Sequence, residues 1–440
     1  MDLSSVLPEG STYTALCFRT NAYQCKPLLI SREKPLTLKV KHMFLLSEKE
    51  SNVIIFGIEV YVYLTFHGKK LERHVFISKA DTTGLGNHRI SMASVTKCFL
   101  RYLISINPKV YLDKATYRSS NNNHNALHSN ELLSTINMII QDLRAWSRKL
   151  KQNPHLITDF LRKDDDNGIH PSSDLPVIMP VSMSSKISLF TRSADAYLFP
   201  ESQNNKGKHN INGNTLFKWW ISILKDTLDQ SWVCKVDIPG SDHVSVRKFL
   251  PEASNWDIGN IHVSDRLKDR AVYTIPLLPD DPKGRFLEHL IVENRYKSLT
   301  TKQFWNELGF RQEFRLGNVV GIIGCFKECE SLEGTIEDPR TSLLRPRQYK
   351  KIREVIKGEN YNQINDVSNL WSSGIPELAA RLKLSLRFVS ILGTLSSVDN
   401  VDHGKENLRK VSSLVNVLNV KKKSAPVNNL NTLVKRKKTQ

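Results

Sequence analysis

The stretch from Val53 to Phe66, VIIFGIEVYVYLTF, limits the fold of this chain more than any other. Its β-branched and aromatic content makes it a strand, and it is apolar on nearly every residue, so it is buried on both faces. Leu71 to Lys79 (LERHVFISK) is a second strand, and His67-Gly68-Lys69-Lys70 is the turn between them. Asp81, in FISKADTTG, closes that second strand. Met92 to Ile106 then reads as a helix, with Val95, Phe99, Tyr102 and Leu103 at i, i+4, i+7 and i+8.

Further along, SSNNNHNALH (119–128) is a polar loop of low complexity. Ser129 caps a predicted helix through Lys151, with Leu132, Ile136, Ile139 and Leu143 on one face. Arg144, Arg148, Lys149 and Lys151 crowd its end, where they suit the helix dipole or an acidic partner. Residues 163–174 form a second exposed loop. The segment 176–199 holds the strand-like KISLFTR and the start of YLFPE. Helices are predicted over Asn214–Asp229, Thr300–Phe314, Leu343–Gly358 and Ile375–Leu392, the last entered through Pro376.

Composition narrows the class. The chain has 440 residues, 40% of them hydrophobic, and a formal net charge of +19. That is enough apolar content for a substantial core, and the charge points to polyanionic company such as nucleic acid, acidic proteins or a phosphorylated cofactor. Cys17, Cys25, Cys98, Cys234, Cys325 and Cys329 follow no disulfide or zinc spacing, so reduced thiols inside the cell and no metal are expected. No apolar run approaches the ~20 residues that span a bilayer, and MDLSSVLPEG lacks the basic start of a signal peptide; no membrane is expected. From Ser396 the chain loses aromatics, and its last twenty residues carry seven basic side chains and no acid. We therefore expect a folded domain over 1–395 and a basic flexible tail over 396–440. The two basic clusters of that tail, from Lys421 and from Lys435, suit a nuclear import signal or an electrostatic tether.

The segment richest in chemistry is YTIPLLPDDPKGRF, Tyr273 to Phe286. Asp280 and Asp281 stand between Pro279 and Pro282, with Lys283 and Arg285 following. Proline fixes its own φ and keeps the preceding residue extended, so a stiff extended loop is expected here. A carboxylate that must meet a proton donor needs such stiffness, although an Asp-Asp pair before proline is also a common solvated turn. Trp219 and Trp220 are neighbours on a predicted helix and point about 100° apart. Each is core packing or the wall of a site. Phosphate-loop, HExxH and GxSxG signatures are all missing, and residues alone leave the chemistry open.

The blocks EVYVYLTF, FISKADTTG, SINPKVYL, LFTRSADAYLFPE, KWW, YTIPLLPDDPKGRF and FWNELGFRQEF, with RQYKKIREVIKGENY beyond them, resemble in order those of one family. This is the family of fungal histone H3 lysine acetyltransferases that work with histone chaperones in replication-coupled chromatin assembly, the regulator of Ty1 transposition family. The resemblance implies an α/β fold, a central mixed β-sheet surrounded by helices, similar to the CBP-type acetyltransferases. It implies acetyl-CoA as co-substrate. Ala80, Asp81 and Thr82 would lie against the pantetheine arm, and Arg89, Ile90, Ser91, Met92 and Ala93 against the pyrophosphate. Phe190, Ala194, His209, Asn210, Ile211 and Trp219 would complete the site, although Asn210 departs from the apolar residue usual there. Asp281 would be the base, Asp280 would orient the acceptor lysine, and Trp220 and Tyr197 would border its channel. Lys283 is either a buried partner of Asp281 or Asp81, or a target of self-acetylation; the resemblance favours the second.

The function so implied is nuclear acetylation of histone H3, at core lysine fifty-six and at tail lysines. Its implied partners are histone H3–H4, an anti-silencing-function type chaperone and an acidic NAP-type chaperone, with nucleic acid met only through chromatin. The residues 114–152, loop and basic helix, and the basic tail are candidate docking elements for chaperones. A non-catalytic chromatin-binding or chaperone-scaffold protein is the alternative that the charge also allows.

Overall fold

The computed structural model describes residues 1–396 except 31–33, 88–89, 118–179, 181, 263–268, 312–313, 315–318, 331–333 and 335–338. The loops expected over 119–128 and 163–174, the helix over Ser129–Lys151, Arg89 and the basic tail therefore lie outside the described residues. The folded unit is Met1–Leu395.

The strands are β1 (Thr12–Thr20), β2 (Tyr23–Cys25), β3 (Thr37–Glu48), β4 (Val53–His67), β5 (Lys70–Thr82), β6 (Ser182–Thr191), β7 (Val233–Asp237), β8 (Trp256–Ile258), β9 (Gly321–Glu330), β10 (Ser342–Leu344) and β11 (Phe388–Leu392). They form one mixed sheet in the order β10-β1-β3-β4-β5-β6-β9-β7-β8, with β11 also on β1 and β2 also on β3. The hairpin read from the sequence is its centre. β4 and β5 pair antiparallel from His67↔Lys70 to Phe56↔Thr82, and Gly68 makes the two-residue turn at φ +59°. β4 is buried from Val53 to Thr65 because helices and loops cover both faces of the sheet.

One face carries Phe56, Ile58, Val60, Val62, Val75 and Ile77. Against it pack the helices Met92–Ser105 and Gly213–Thr227, which bring Phe99, Leu103, Phe217 and Trp220 into the same cluster. On the other face, Leu45, Met43 and Phe18 meet Phe199, Tyr349, Ile352 and Trp371. Beside them lies a smaller aromatic cluster of Tyr61, Tyr63, Phe76 and Leu278. The Pro346–Gly358 helix is tied to this face by charge. Glu59, fully buried, takes the Arg353 guanidinium at 2.7 Å and the Tyr349 hydroxyl at 3.0 Å.

Several predicted boundaries shift. The helix expected to begin at Leu343 begins at Pro346, since Ser342–Leu344 pairs with β1. The helix expected over Thr300–Phe314 covers Thr301–Leu308, capped by Thr300 and Gln303 and stopped at Gly309. The helical stretch expected over Ile375–Leu392 ends at Arg381, and Phe388–Leu392 joins the sheet edge as β11. Pro376 lacks the N–H that an α-helix needs, and the turn before it, Leu370–Gly374, opens into a π-helix.

Gly57 on β4 exists for a neighbour: a Cβ there meets the Phe199 ring at 2.7 Å and the Leu45 side chain at 3.0 Å. Gly57→Ala is expected to cost about 1–3 kcal/mol by overpacking, read in urea unfolding. Phe199→Leu in the same chain should return part of that loss; an unchanged midpoint for Gly57→Ala alone refutes the contact.

Candidate functional site

The site begins where the central sheet comes apart. Parallel pairing of β5 with β6 runs from Lys70↔Ser182 to Ile77↔Leu189 and stops, yet β5 continues to Thr82 and β6 to Thr191. The two strands diverge into a wedge that interrupts the sheet. Ala80, Asp81 and Thr82 form one wall, and Phe190, which packs edge-on against Phe314, lies on the other. Strand-edge backbone groups that lose ladder partners where pairing stops are the kind a ligand can use.

Asp81 shapes the wedge. Its Oδ2 accepts the backbone N–H groups of Tyr197 (2.7 Å), Leu198 (2.8 Å) and Phe199 (3.2 Å), while Oδ1 accepts Thr82 N–H and the Lys208 ammonium, each at 2.9 Å. A carboxylate so engaged folds the chain after β6 beneath the end of β5. The buried Lys208 is the partner that sequence reading missed. Lys283 does not pair with Asp81. Gly84 (φ +72°) seats Lys208: a Cβ there would stand 2.3 Å from its backbone nitrogen. The Asn205 amide locks the same loop by donating to the Thr83 and Tyr361 carbonyls, each at 2.7 Å.

Tyr197 sits half-buried on this turn, and burial, with Asp81 adding to it, pushes its phenol up to about 12. It is a protonated donor at neutral pH. Ala194 and the run His209, Asn210, Ile211 are exposed on the approach to the Gly213–Thr227 helix, which Asn212 caps. Ala80, Ile90, Met92, Ala93 and Trp219 all border the apolar cluster that buries Trp220. The two indoles meet edge to face at 4.9 Å, Trp220 buried and Trp219 half-exposed. Ser91 caps the Met92–Ser105 helix by accepting Ser94 N–H at 3.3 Å.

The acid segment differs from expectation. Little of it is an extended loop: Tyr273 and Thr274 end a short helix (Ala271–Thr274), Pro279–Asp280 is a turn, and Pro282–Val292 is a helix whose N-cap is Asp281 and whose first residue is Pro282. An Asp-Pro start followed by Phe286, Leu287, Leu290 and Ile291 is a helix signal that the proline argument hid. Asp281 Oδ1 accepts Lys283 N–H at 2.9 Å, and its Oδ2 meets the Lys283 ammonium at 2.5 Å, both side chains being almost fully buried. Asp280 lies outward at φ +56°, its carboxylate 3.0 Å from the Lys79 ammonium. Burial raises its pKa, but Lys79 outweighs burial and holds it below the usual carboxylate value. Lys79 precedes Asp81 by two residues, so this ion pair fastens the acid segment to the wall of the wedge.

Behind Lys283 stand two imidazoles, the buried His74 and the part-buried His262. His74 and His262 stack at 5.7 Å, and the Ser188 hydroxyl lies 2.8 Å from one Nε2 and 3.4 Å from the other. Burial first, then the Lys186 and Lys283 charges, against the pull of Glu72, bring His74 down to about 3; His262 is also well below its ordinary value. Among the described residues no group of three or more His, Cys, Asp or Glu side chains could hold a metal ion.

The family model for the histone acetyltransferase KAT11-type domain matches residues 1–377. The chain is similar to histone acetyltransferase RTT109 of Candida albicans, 34% identical over 372 residues that cover 83% of this chain and 97% of that protein. It is 26% identical to histone acetyltransferase rtt109 of Schizosaccharomyces pombe over 294 residues, 64% of this chain and 58% of the relative. The crystal structure of Rtt109 from Aspergillus fumigatus superposes with a TM-score of 0.63 at 21% identity, covering 90% of this chain and 98% of the other, a likeness of fold.

Two outcomes test this geometry. Removing either partner of the buried Asp281–Lys283 pair is expected to cost about 3–5 kcal/mol. The double change Asp281→Asn with Lys283→Met should cost far less than the sum, measured by urea unfolding; additive losses mean the pair is not formed. The second outcome concerns pH. His74 and His262 titrate lower in the folded chain than the ~6.5 of an unfolded one, so their stability is complete above pH 6.5 and is lost as pH falls below it. Each should contribute a slope of about 1.4 kcal/mol per pH unit, and His74→Gln should flatten the fall between pH 6.5 and 5.

Proposed function

The chain belongs to the KAT11-type histone acetyltransferases, and from that premise we propose that it transfers acetyl from acetyl-CoA to lysines of histone H3. The observation that carries the site assignment is the wedge between β5 and β6, with Ala80–Thr82 on one wall and the acid segment fastened beside it through Lys79. An extended pantetheine arm carries amides that match unpaired strand-edge groups. In this reading Ala80, Thr82 and Phe190 hold the arm, and Asp81 acts through the turn it folds, setting Tyr197. Arg89 to Ala93 meet the pyrophosphate, with Ser91, Met92 and Ala93 at a helix N-terminus suited to anions. His209–Ile211 and Trp219 close the cofactor side, and Trp220 stiffens Trp219 from below.

The acceptor ammonium, with an ordinary pKa of ~10.4, must lose a proton before its nitrogen attacks. The neutral amine then bonds to the thioester carbonyl carbon, the C–S bond breaks, and the CoA sulfur leaves as a thiol. Direct transfer fits better than an acyl-cysteine, since no cysteine occurs in 189–201, 219–220 or 273–286. Asp280, exposed, draws the acceptor in by exchanging Lys79 for it. Asp281 is the base, and its Oδ2 is held by Lys283. Self-acetylation of Lys283 removes that charge and frees the carboxylate, which gives the modification a physical purpose.

Core lysine fifty-six and tail lysines are the acceptors in this reading. H3–H4 arrives on an anti-silencing-function type or NAP-type chaperone, in the nucleus, during nucleosome assembly. The test is acetyl transfer from labelled acetyl-CoA by the purified full chain, alone and with H3–H4 on each chaperone. Label is expected on Lys283 and on H3. Asp281→Asn should lower turnover of the folded fraction by roughly 100-fold or more while desulfo-CoA affinity stays unchanged. Wild-type turnover in that variant removes Asp281 from the chemistry.

A further inference from the structure

Next to the acid segment the sheet holds more positive charge than its neighbours neutralise. In register, Lys39 stands opposite Tyr63, Lys41 opposite Tyr61 and Glu59 opposite Lys79, all on one face. The Pro346–Gly358 helix adds Arg353 and Lys357, one turn apart, to the same field. Leaving Lys41 aside, four cations (Lys39, Lys79, Arg353 and Lys357) thus meet two carboxylates, Glu59 and Asp280, a surplus of two among the described residues. Arg353 already takes Glu59, and Lys79 already takes Asp280. Among the described residues, neither Lys39 nor Lys357 has a carboxylate partner.

Aromatic rings hold the surplus in place. The Lys39 ammonium lies 4.5 Å from the centre of the Tyr61 ring and 5.1 Å from that of Tyr63, and Lys41 lies 5.9 Å from Tyr61 and 5.8 Å from Tyr349. Burial, then Lys41, pushes Lys39 down to about 7; burial, then Lys79 and Arg353, lowers Lys357. Like charges kept together in a part-buried recess raise the energy of the free protein, and an entering anion relieves it.

We propose that this recess, between the Pro346–Gly358 helix and Asp280, is a subsite for a carboxylate side chain of the polypeptide that offers its lysine to the acid pair. The proposal rests on the reading of Asp280 as the acceptor's first contact. The incoming ammonium replaces Lys79 on Asp280, and a flanking Glu or Asp of the same polypeptide takes Lys39 and Lys357. A carboxylate suits the recess better than a nucleic-acid backbone. Lys79 and Arg353 are only 15% and 25% exposed, and the Lys39 and Lys41 ammoniums lie against tyrosine rings, so a single side chain enters where a duplex cannot.

Amine labelling of the full chain tests this without turnover, so its failure is separable from failure of the acetyltransferase reading. The probe is a short peptide with one central lysine flanked by glutamates, compared with its glutamine twin and with duplex DNA. At low salt the glutamate peptide is expected to protect Lys39 and Lys357 from N-hydroxysuccinimidyl acetate, read by peptide mass spectrometry, and to leave Lys225 and Lys302 exposed. In fluorescence anisotropy, Lys357→Gln, alone and with Lys39→Gln, should weaken that peptide about tenfold, and the charge-matched pair Lys225→Gln with Lys302→Gln should not. Equal protection by the glutamine twin or by DNA, protection confined to the C-terminal lysines, or equal losses in both variant sets overturns the subsite.

Discussion

One carboxylate holds the candidate site in shape. Asp81 ends the second strand of the central hairpin and gathers three consecutive backbone N–H groups, Lys208 and its own neighbour's N–H. Charge-assisted bonds of this kind are roughly twice as strong as neutral ones, and a buried carboxylate needs all of them to offset its desolvation. Tyr197 stands where it does because its N–H is one of the three. Phe199, brought in by the same turn, lies over the strand where Gly57 leaves room. The 202–208 loop then packs on Gly84, and the approach to the Gly213–Thr227 helix follows from it. Strand-end wall, aromatic wall and loop are thus consequences of one buried anion.

The acid segment obeys a different constraint. Asp281 serves the fold twice, as helix N-cap and as the counter-ion of a buried lysine. In the proposed reading, a base that is also a structural ion-pair partner is idle while the pair lasts, which would give self-acetylation of Lys283 its purpose. Asp280 has the opposite situation. Its left-handed backbone turns it out to solvent, where Lys79 holds it by a bond that another ammonium can exchange. Neighbouring residues of one type thereby acquire distinct environments from backbone conformation and burial.

Much of this is legible from residues. β-Branched and aromatic runs with a Gly turn specify the hairpin, and apolar spacing specifies the helices Met92–Ser105 and Gly213–Thr227, because these signals are local and periodic. Ordered blocks over most of the chain identify the family. The elements that differ from expectation do so for local reasons too. Proline at the first turn of a helix reads as extension, and the helix from Ile375 stops at Arg381, followed by a left-handed Lys383, before the chain returns to the sheet.

Only tertiary structure decided the rest. Lys208 lies 127 positions from Asp81, and β5 and β6 meet across more than a hundred residues before diverging at Ile77 and Leu189. Nothing in the spacing of either strand says where a ladder will stop. The sequence likewise names Lys39, Glu59, Arg353 and Lys357 but not their gathering on one face, which comes from strand register and from where one helix packs. Sequence determines which residues are apolar, charged or turn-forming along the chain. Which charge neutralises which is a matter of distance and burial through space, and those exist only once the sheet has closed.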